Sequence, residues 1–430
     1  MAFQQGLSGL NTASKAIDVT SNNIANSSTV GYKAAVSHFA DVYANSLSGG
    51  GASQIGIGVN LAAVQQQFTQ GNITTTSNPL DISINGGGFF RMDQNGAVTY
   101  SRNGQFHLDK NGYIVNDQDM KLTGYAAQNG IIRATSPSPL QISASDLAPV
   151  ATGSNTTTAF QGVKANLNLD SRQTVPATAW ANGPASGVWS PDPLTYNYST
   201  ALSVYDTLGN SHTLTMYFRK AATAGDWDVF ANVDGTTNQR VTLTGGPLNF
   251  DTAGQLNSGS PLNISIDLAG VMTDLGGTNN AATPLTFDID FTGTTQFGSA
   301  FGTNRLEQDG FAAGHLVGLS VGSDGVIQGR YSNGQTFNQG QVVLANFTNP
   351  NGLQSLGNNQ WAETSVSGPA LVGAPNTSNL GVLQSASVEE SNVDLTAELV
   401  NLITQQRNYQ ANAQSIKTQD QVMQTLVNLR

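Results

Sequence analysis

The chain's 430 residues exceed one compact core, which implies about two to four domains, and zero Cys excludes disulfides, thiolate metal sites and a cysteine nucleophile. Lys plus Arg number 17 against 28 Asp plus Glu, a net charge of −11, which leaves no cationic surface for nucleic acid; the only adjacent basic pair is Arg219-Lys220. Charged residues make up 10 % of the chain against roughly a quarter in ordinary domains, and 47 Gly with abundant Asn, Gln, Ser and Thr take their place, a composition that favours turns and β structure, while no apolar run reaches the roughly 20 residues of a membrane span.

The first residues, MAFQQGLSGLNTASK, carry neither a basic start nor a continuous apolar stretch, so no cleavable secretory signal is expected and any export would use another route. From Ala2 to Asn26, Phe3, Leu10, Ile17 and Ile24 recur every seven positions, with Leu7, Ser14 and Ser21 at the complementary phase. This predicts a helix with one narrow apolar stripe, roughly 35 Å long.

Short alternating strands punctuated by turn dipeptides follow: Asn95-Gly96, Asn103-Gly104, Asn111-Gly112, Asn129-Gly130, Asp234-Gly235, Asp324-Gly325 and Asn333-Gly334. They predict a meander or barrel of hairpins. Loose segments at Ser136 to Thr158 and Gly293 to Asn304 bracket what reads as an inserted β domain, within which Val175 to Pro193 reads as a long surface loop. The C-terminal stretch returns to period seven, with Leu402, Tyr409, Ile416 and Met423 in one series and Leu399, Gln406, Ala413, Asp420 and Val427 in the other. Asp394 is placed to cap this helix, which is roughly 55 Å long, and Gln406 and Asp420 predict a partly polar seam. Such ends suit pairing with each other and with neighbouring copies. The expectation is that they order on association.

Candidate catalytic constellations are poor. His38, His107, His212 and His315 lack metal-pair spacing and read as surface or strand residues. Gly318-Leu319-Ser320-Val321-Gly322 matches a nucleophile elbow, but a turn and a strand follow where the elbow needs a helix. Asp288-Ile289-Asp290 opens like a calcium loop, yet the twelfth position is Ser299. Gly86-Gly87-Gly88 precedes Phe89-Phe90 without the Lys-Ser/Thr of a phosphate cradle and reads as a tight turn. No catalytic residue, cofactor or metal is expected. Trp180, Trp189 and Trp227 leave one rival reading, a secreted β-rich adhesin that stacks sugars.

The segment NNIANSSTVGYK, Asn22 to Lys33, with Asn22, Asn23, Ile24, Ala25, Asn26, Gly31 and Tyr32 at its centre, resembles the N-terminal signature of the bacterial flagellar rod and hook axial proteins. The stretch Asn392 to Leu429 is similar to that family's C-terminal helix. The likeness continues through LDISINGGGFF (Leu80 to Phe90), YSRNGQFHLD (Tyr100 to Asp109) and GQVVLANFTNPNGL (Gly340 to Leu353), and SVYDTLGNSHTLTMYF (Ser203 to Phe218) resembles an outer domain found in hook members. The distal rod members lack such an insert.

The resemblance implies a mainly β fold, with two β-rich, hairpin or barrel-like domains nested between long terminal helices that pair as a coiled coil. Residues 1–26 and 390–430 would form the helical, channel-lining domain, and 27–77 with 376–389 a linking segment. Residues 78–147 with 311–375 would form an inner β domain, and 148–310 an inserted outer one. It implies no enzyme but a subunit of a curved, bendable tube outside the cell, polymerising through Leu7, Leu10, Ile17, Ile24, Leu399, Leu402, Tyr409, Ile416, Met423 and Val427. The implied partners are further copies of the chain, the distal rod, hook cap and hook–filament junction proteins, and the flagellar export apparatus, with no nucleic acid and no membrane insertion. A distal rod subunit is the alternative within the family.

Overall fold

The computed structural model describes residues 2–42, 56–128, 130–143, 146–156, 158, 160–278 and 280–428, without the side chains of Ala2 and 426–428. Three of the sequence expectations fall outside the described residues: positions 43–55 of the linking segment, Asn129 of its turn, and the Val427 side chain. The chain divides into two compact units. Unit 1 is Met1–Ser143, Gly318–Arg330 and Thr336–Arg430, and unit 2 is Ala144–Val317 with Tyr331–Gln335.

Three helices are described: α1 (Ala2–Ala25) and α3 (Leu395–Asn428) in unit 1, and the short α2 (Leu268–Asp274) in unit 2. Asp394 caps α3 as its position predicts, its Oδ1 accepting from the amides of Thr396 at 2.9 Å and Ala397 at 3.1 Å. Helices α1 and α3 pair antiparallel: Gly6 faces Ile416, Gly9 faces Asn412, and Asn23 reaches Glu398. Carried to the start of α1, this register ends near Asp420. The last two turns of α3 run on past it.

Period seven is present in α1, but its phase differs from the expected one. Gly6, Gly9 and Asn23 meet α3, and Ala13, Ala16 and Thr20 are the other buried residues of α1, not the series of Leu10, Ile17 and Ile24. The reason is distance: a Cβ on Gly6 would lie 3.0 Å from Ile416 Cγ1, and one on Gly9 would lie 2.8 Å from Asn412 Oδ1. Only small side chains fit so close a seam, and the larger ones are turned to its flanks. The half-buried side of α3 comprises Glu398, Leu402, Gln405, Asn412, Ala413, Ile416 and Gln419. The seam is polar as expected, through Gln405, Asn412 and Gln419 rather than Gln406 and Asp420.

The remainder of unit 1 is β structure. Ala35–Val42 pairs antiparallel with Gly58–Gln66 in a ribbon tied to α1, where the Val59 amide donates to Ser8 Oγ. In the larger sheet, Phe89–Gln94 lies between Ala97–Ser101 and Lys121–Gln128, with a hairpin at Asn95-Gly96. Phe68, Phe89 and Trp361 pack edge to face with centroids 5.4 to 5.7 Å apart, and Trp361 Nε1 donates to Gln66 Oε1 at 2.6 Å, joining ribbon to sheet. Asn103-Gly104 is not a hairpin turn. Gly104 instead lies against the Ile82 carbonyl, where a Cβ has no room. Two short antiparallel pairs, Ile73–Thr75 with Ser387–Glu389 and Ile82–Asn85 with Val382–Ser385, bring the end of the chain back to its beginning.

Unit 2 consists of two open five-stranded sheets sharing one core; one sheet is the expected meander of hairpins, and the two together form a sandwich rather than the alternative barrel. One sheet runs in the order Val241–Thr244, Leu262–Ile266, Leu285–Asp290, Val163–Asn168 and Gly302–Gln308. The other is Tyr198–Tyr205, Ser211–Lys220, Asp226–Val233, Leu248–Phe250 and Leu256–Ser258. The parallel pairing of Val163–Asn168 with Leu285–Asp290 joins strands far apart in sequence, which hairpin reasoning does not reach. Leu167, Leu214, Phe218, Trp227, Ile264 and Phe291 are among the buried side chains between the sheets. The loop from Val175 to Pro193 is strapped down, because Trp180 stacks on Phe230 at 4.1 Å and 6° and meets Trp189 edge-on.

His212 is buried between two carboxylates of unit 2. Its Nδ1 lies 2.7 Å from Asp234 Oδ2 and its Nε2 lies 3.5 Å from Asp206 Oδ2, an ion-pair distance without hydrogen-bond geometry. The Asp234 hydrogen bond, opposed by burial and aided by both carboxylate charges, raises its pKa above 6.5. The folded state therefore holds this proton more tightly than the unfolded chain. The stabilisation is complete below about pH 6.5 and is lost as pH rises through the folded-state value. Unit 2 is expected to melt at a lower temperature at about pH 9 than at about pH 6, and His212→Asn should flatten that difference in a calorimetric pH series.

Candidate assembly site

The two chain ends meet at the root of the α1–α3 pair, and the signature residues lie there. Asn23, at the last turn of α1, is buried and makes four hydrogen bonds. Its Nδ2 donates to the Ala35 carbonyl at 2.8 Å and to Glu398 Oε1 at 3.2 Å, and its Oδ1 accepts from the Ala35 amide at 2.9 Å and from the Tyr32 hydroxyl at 3.2 Å. One side chain thus ties α1, the strand after it and α3. Asn26 closes the helix end by donating to the Asn22 carbonyl at 2.9 Å, and Asn22 in turn donates to the Tyr32 oxygen at 3.2 Å. Burial, with the Glu398 charge second, raises the Tyr32 pKa and keeps the phenol a proton donor. Ile24 is half-buried and Ala25 exposed.

Gly31 has φ +71°, and a Cβ there would lie 2.6 Å from the Asn103 amide nitrogen. Its own amide donates to the Glu389 carbonyl at 2.8 Å. Both the backbone conformation and the close approach therefore require glycine. Beyond it, Ala34 donates to Asn392 Oδ1 at 2.7 Å, and Asn392 Nδ2 donates to the Gln67 carbonyl at 2.8 Å.

Beneath this junction is a cluster of buried charge. Glu389 Oε1 lies 2.6 Å from Lys33 Nζ and its Oε2 lies 3.1 Å from Arg102 Nη1. Lys33 also donates to the Thr69 carbonyl at 2.7 Å, Arg102 donates to the Gly86 carbonyl at 2.9 Å, and the Gly71 amide donates to Glu389 Oε1 at 2.9 Å. Burial pulls the Lys33 pKa down against the opposing pull of Glu389. Sequence reasoning missed this cluster. Lys33 ended the quoted signature and Glu389 ended a linking segment, and no local spacing joins them.

Away from the root, the helix pair leaves apolar side chains in water. Leu10, Ile17, Leu402 and Ile416 are half-buried beside the seam, while Leu7 and Leu399 are each 45 % exposed, Tyr409 38 % and Met423 61 %. Leu395 and Ile403, which the heptad series omitted, line up with Leu399 at four-residue spacing on α3, and Ile403 is 51 % exposed. A preference for i, i+4 spacing over strict sevens was the signal for them.

The other sequence candidates do not converge. Ser320 lies within the strand Leu316–Val321, and Asp288 ends in a cross-strand hydrogen bond from Asn263. Gly86-Gly87-Gly88 links two strands and gives a carbonyl to Arg102. Trp227 is wholly buried in the unit 2 core and Trp180 is covered by its ring partners, so the three tryptophans form no open sugar platform. Among the described residues no group of His, Asp or Glu has metal-holding geometry.

Asn23→Ala is expected to destabilise unit 1 by about 2 kcal/mol, since it orphans buried backbone groups, and Asn22→Ala to stay within about 0.5 kcal/mol. Urea unfolding followed by circular dichroism measures both.

Comparison with known proteins places these observations. Four family models match along the chain: the flagella basal body rod protein over residues 3–33, the flagellar hook protein FlgE/F/G D1 domain over 83–153, the flagellar basal body protein FlaE D2 domain over 168–311, and the flagellar basal body rod FlgEFG protein C-terminal over 384–429. The flagellar hook protein FlgE of Salmonella typhimurium is 41 % identical over 439 residues, covering 100 % of both chains, and that of Escherichia coli K12 is 40 % identical over 434 residues, also covering 100 % of both. The FlgE of Borreliella burgdorferi is 31 % identical over 461 residues, covering 100 % of this chain and 99 % of that protein. The crystal structure of Helicobacter pylori flagellar hook protein FlgE2 matches with a TM-score of 0.50 at 15 % identity, covering 74 % of this chain and 100 % of the other, a likeness of fold. Matched from end to end by these relatives, the chain belongs to the flagellar hook protein family.

Proposed function

We propose that this chain is the structural subunit of a bacterial flagellar hook, polymerising through its terminal helices into a curved, bendable tube that carries torque from rod to filament. The observation that carries the reading is the apolar surface left over once α1 and α3 have paired. Leu7 on one helix and Leu395, Leu399 and Ile403 on the other remain in water, too regularly placed for scattered surface residues. In the tube the helix pair would act as a coiled coil lining a central channel. The β part of unit 1 would form the inner shell, and unit 2 the nested outer shell. Further copies, the distal rod, the hook cap and the hook–filament junction would be the partners, with delivery by the flagellar export apparatus outside the cell. The family is structural, and the chain performs no catalysis in this reading.

Unit 2 carries 14 acidic and 6 basic side chains, a net of −8, out of −11 for the whole chain. Its cations are used internally. Lys164, Arg172, Arg219, Arg240 and Arg305 pair with carboxylates of the same unit, and Lys220 donates to the Ser171 and Gln173 carbonyls. Faces between stacked copies would then hold few strong ion pairs and slide at small free-energy differences over bridging water, as a bending joint requires.

The double variant Leu399→Asp/Ile403→Asp is expected to abolish tube formation while changing monomer stability by no more than about 0.5 kcal/mol per site, since both side chains are already exposed. Negative-stain electron microscopy in precipitating salt reads the first and thermal unfolding the second. Curved tubes from the unaltered chain support the hook reading, straight ones favour a distal rod subunit, and none at all overturns polymerisation. The excess of negative charge further predicts that assembly, followed by light scattering, improves as ionic strength rises from about 0.01 M to about 0.15 M, where the screening length falls to about 8 Å.

A further inference from the structure

Of the four histidines, His38, His107 and His315 are exposed and His212 is buried, so the fold sets the charge state of His212. Two charged groups act on it, Asp206 at the end of the strand Tyr198–Tyr205 and Asp234 in the turn after Asp226–Val233. Asp234 reaches water, whereas Asp206 is wholly buried. Asp206 also braces the hairpin that follows it. Its Oδ1 accepts from the amides of Leu208 at 2.9 Å and Asn210 at 2.8 Å, and its Oδ2 accepts from Asn210 Nδ2 at 2.9 Å.

The tip of this hairpin lies on a two-stranded stem of unit 2, in which Leu147 exchanges backbone hydrogen bonds with Gly314 and Val150 with Phe311. Gly209 packs so closely there that a Cβ would lie 2.7 Å from Pro149 Cβ and 3.3 Å from Ala312 Cα. The Ala282 amide adds one tie, donating to Thr207 Oγ1 at 2.9 Å. The stem and the strand before the hairpin are fixed separately, since Thr152 donates to the Tyr205 carbonyl and its Oγ1 accepts from the Tyr205 amide. What holds the tip is therefore packing, one hydroxyl and the charge balance at Asp206. As an imidazolium, His212 neutralises that carboxylate. As a neutral ring it keeps the Nδ1 proton in the 2.7 Å hydrogen bond to Asp234 and presents the Nε2 lone pair to Asp206 Oδ2 at 3.5 Å. A dry carboxylate facing a lone pair is costly where it stands and is relieved once it reaches water.

We infer that His212 is a proton-operated clasp: as the imidazolium it holds Asp206 and the tip Thr207 to Asn210 down on the stem, and on losing its proton it releases them and uncovers Pro149 and Ala312. The Asp234 hydrogen bond, against burial, holds the His212 pKa above 6.5, so the clasp is closed at about pH 6 and opens as pH rises through the folded-state value. The device lies wholly within unit 2 and does not rest on polymerisation.

The chain has no Cys, so two spin labels can be placed at will on the full-length protein and their separation read by double electron–electron resonance under non-assembling conditions. Leu208→Cys labels the tip and Thr286→Cys a core strand, both at exposed positions. This pair should give a single narrow distance at about pH 6 and lose it at about pH 9. The control pair Thr242→Cys/Thr286→Cys, on two strands of one sheet, should read the same at both pH values. Asp206→Asn keeps an oxygen for the Leu208 and Asn210 amides and needs no cation, so its tip should stay down at about pH 9. His212→Gln cannot carry the charge and should show a released tip already at about pH 6. Should that variant fail to fold, the unaltered chain and Asp206→Asn decide the matter. An unaltered tip that reads alike at the two pH values, a control pair that loses its distance together with the tip, an Asp206→Asn tip that is released at about pH 9, or a His212→Gln tip that stays down would each overturn the clasp.

Discussion

Much of unit 1 depends on how its two chain ends are held, and the constraint is electrostatic. A charge taken out of water must meet its complement, and the complement of Lys33 and Arg102 is a single carboxylate far along the chain. Around that point three parts of the chain become one joint: the segment leaving α1, the strand entering α3, and the sheet that carries Arg102. Gly31 lets the backbone approach closely enough, and Asn23 and Asn392 satisfy the backbone groups that the approach buries. A neutral joint of the same shape would be no less stable. In the charged one, the cations are compensated only where all three parts meet.

The helix pair follows a different rule. Small side chains on α1 let the two helices approach, and that closeness leaves no room for Leu10, Ile17 and Ile24 in the seam. Pairing therefore does not exhaust the apolar surface of the pair but displaces it outward. A helix pair with leucines in its seam would be satisfied alone. This one, with Gly, Ala, Asn, Gln and Ile416 between the helices, leaves Leu7, Leu399 and Ile403 exposed among the described residues, and that suits a subunit whose stability is completed by neighbours.

Unit 2 shows the complementary economy. Its core is ordinary, two sheets closed over large apolar residues, and its cations are spent within the fold, so the unit meets its surroundings with acids, amides and hydroxyls and with scattered apolar side chains such as Val188, Leu194 and Val317. In the tube proposed above, strong permanent contacts would belong to the helical ends and weak, water-mediated ones to this surface, a division that matches the demands on a tube that stays assembled while its outer contacts change.

Local chemistry made much of this legible in advance. The helices at both ends, the Asp394 cap, the Asn95-Gly96 hairpin and the mainly β middle follow from short-range patterns, and each stands in the structure. The signature from Asn22 to Tyr32 was visible as a motif, but the reasons for Asn23 and Gly31 were not, because their partners Glu398, Asn103 and Glu389 are far away in sequence. Periodicity reports that a helix has a face but not which phase meets the partner. That choice was made by how closely α3 could approach, and it favoured Gly6, Gly9 and Ala13 over the leucines. The sandwich in place of a barrel, and the charge cluster at Glu389, are likewise pairings between distant segments. Composition determined that such a protein would be β-rich and sparsely charged, since those properties are summed residue by residue, and local periodicity that it would be helical at its ends. Which residues face each other was settled only by tertiary packing, where space and buried charge are shared between segments that carry no local sign of one another.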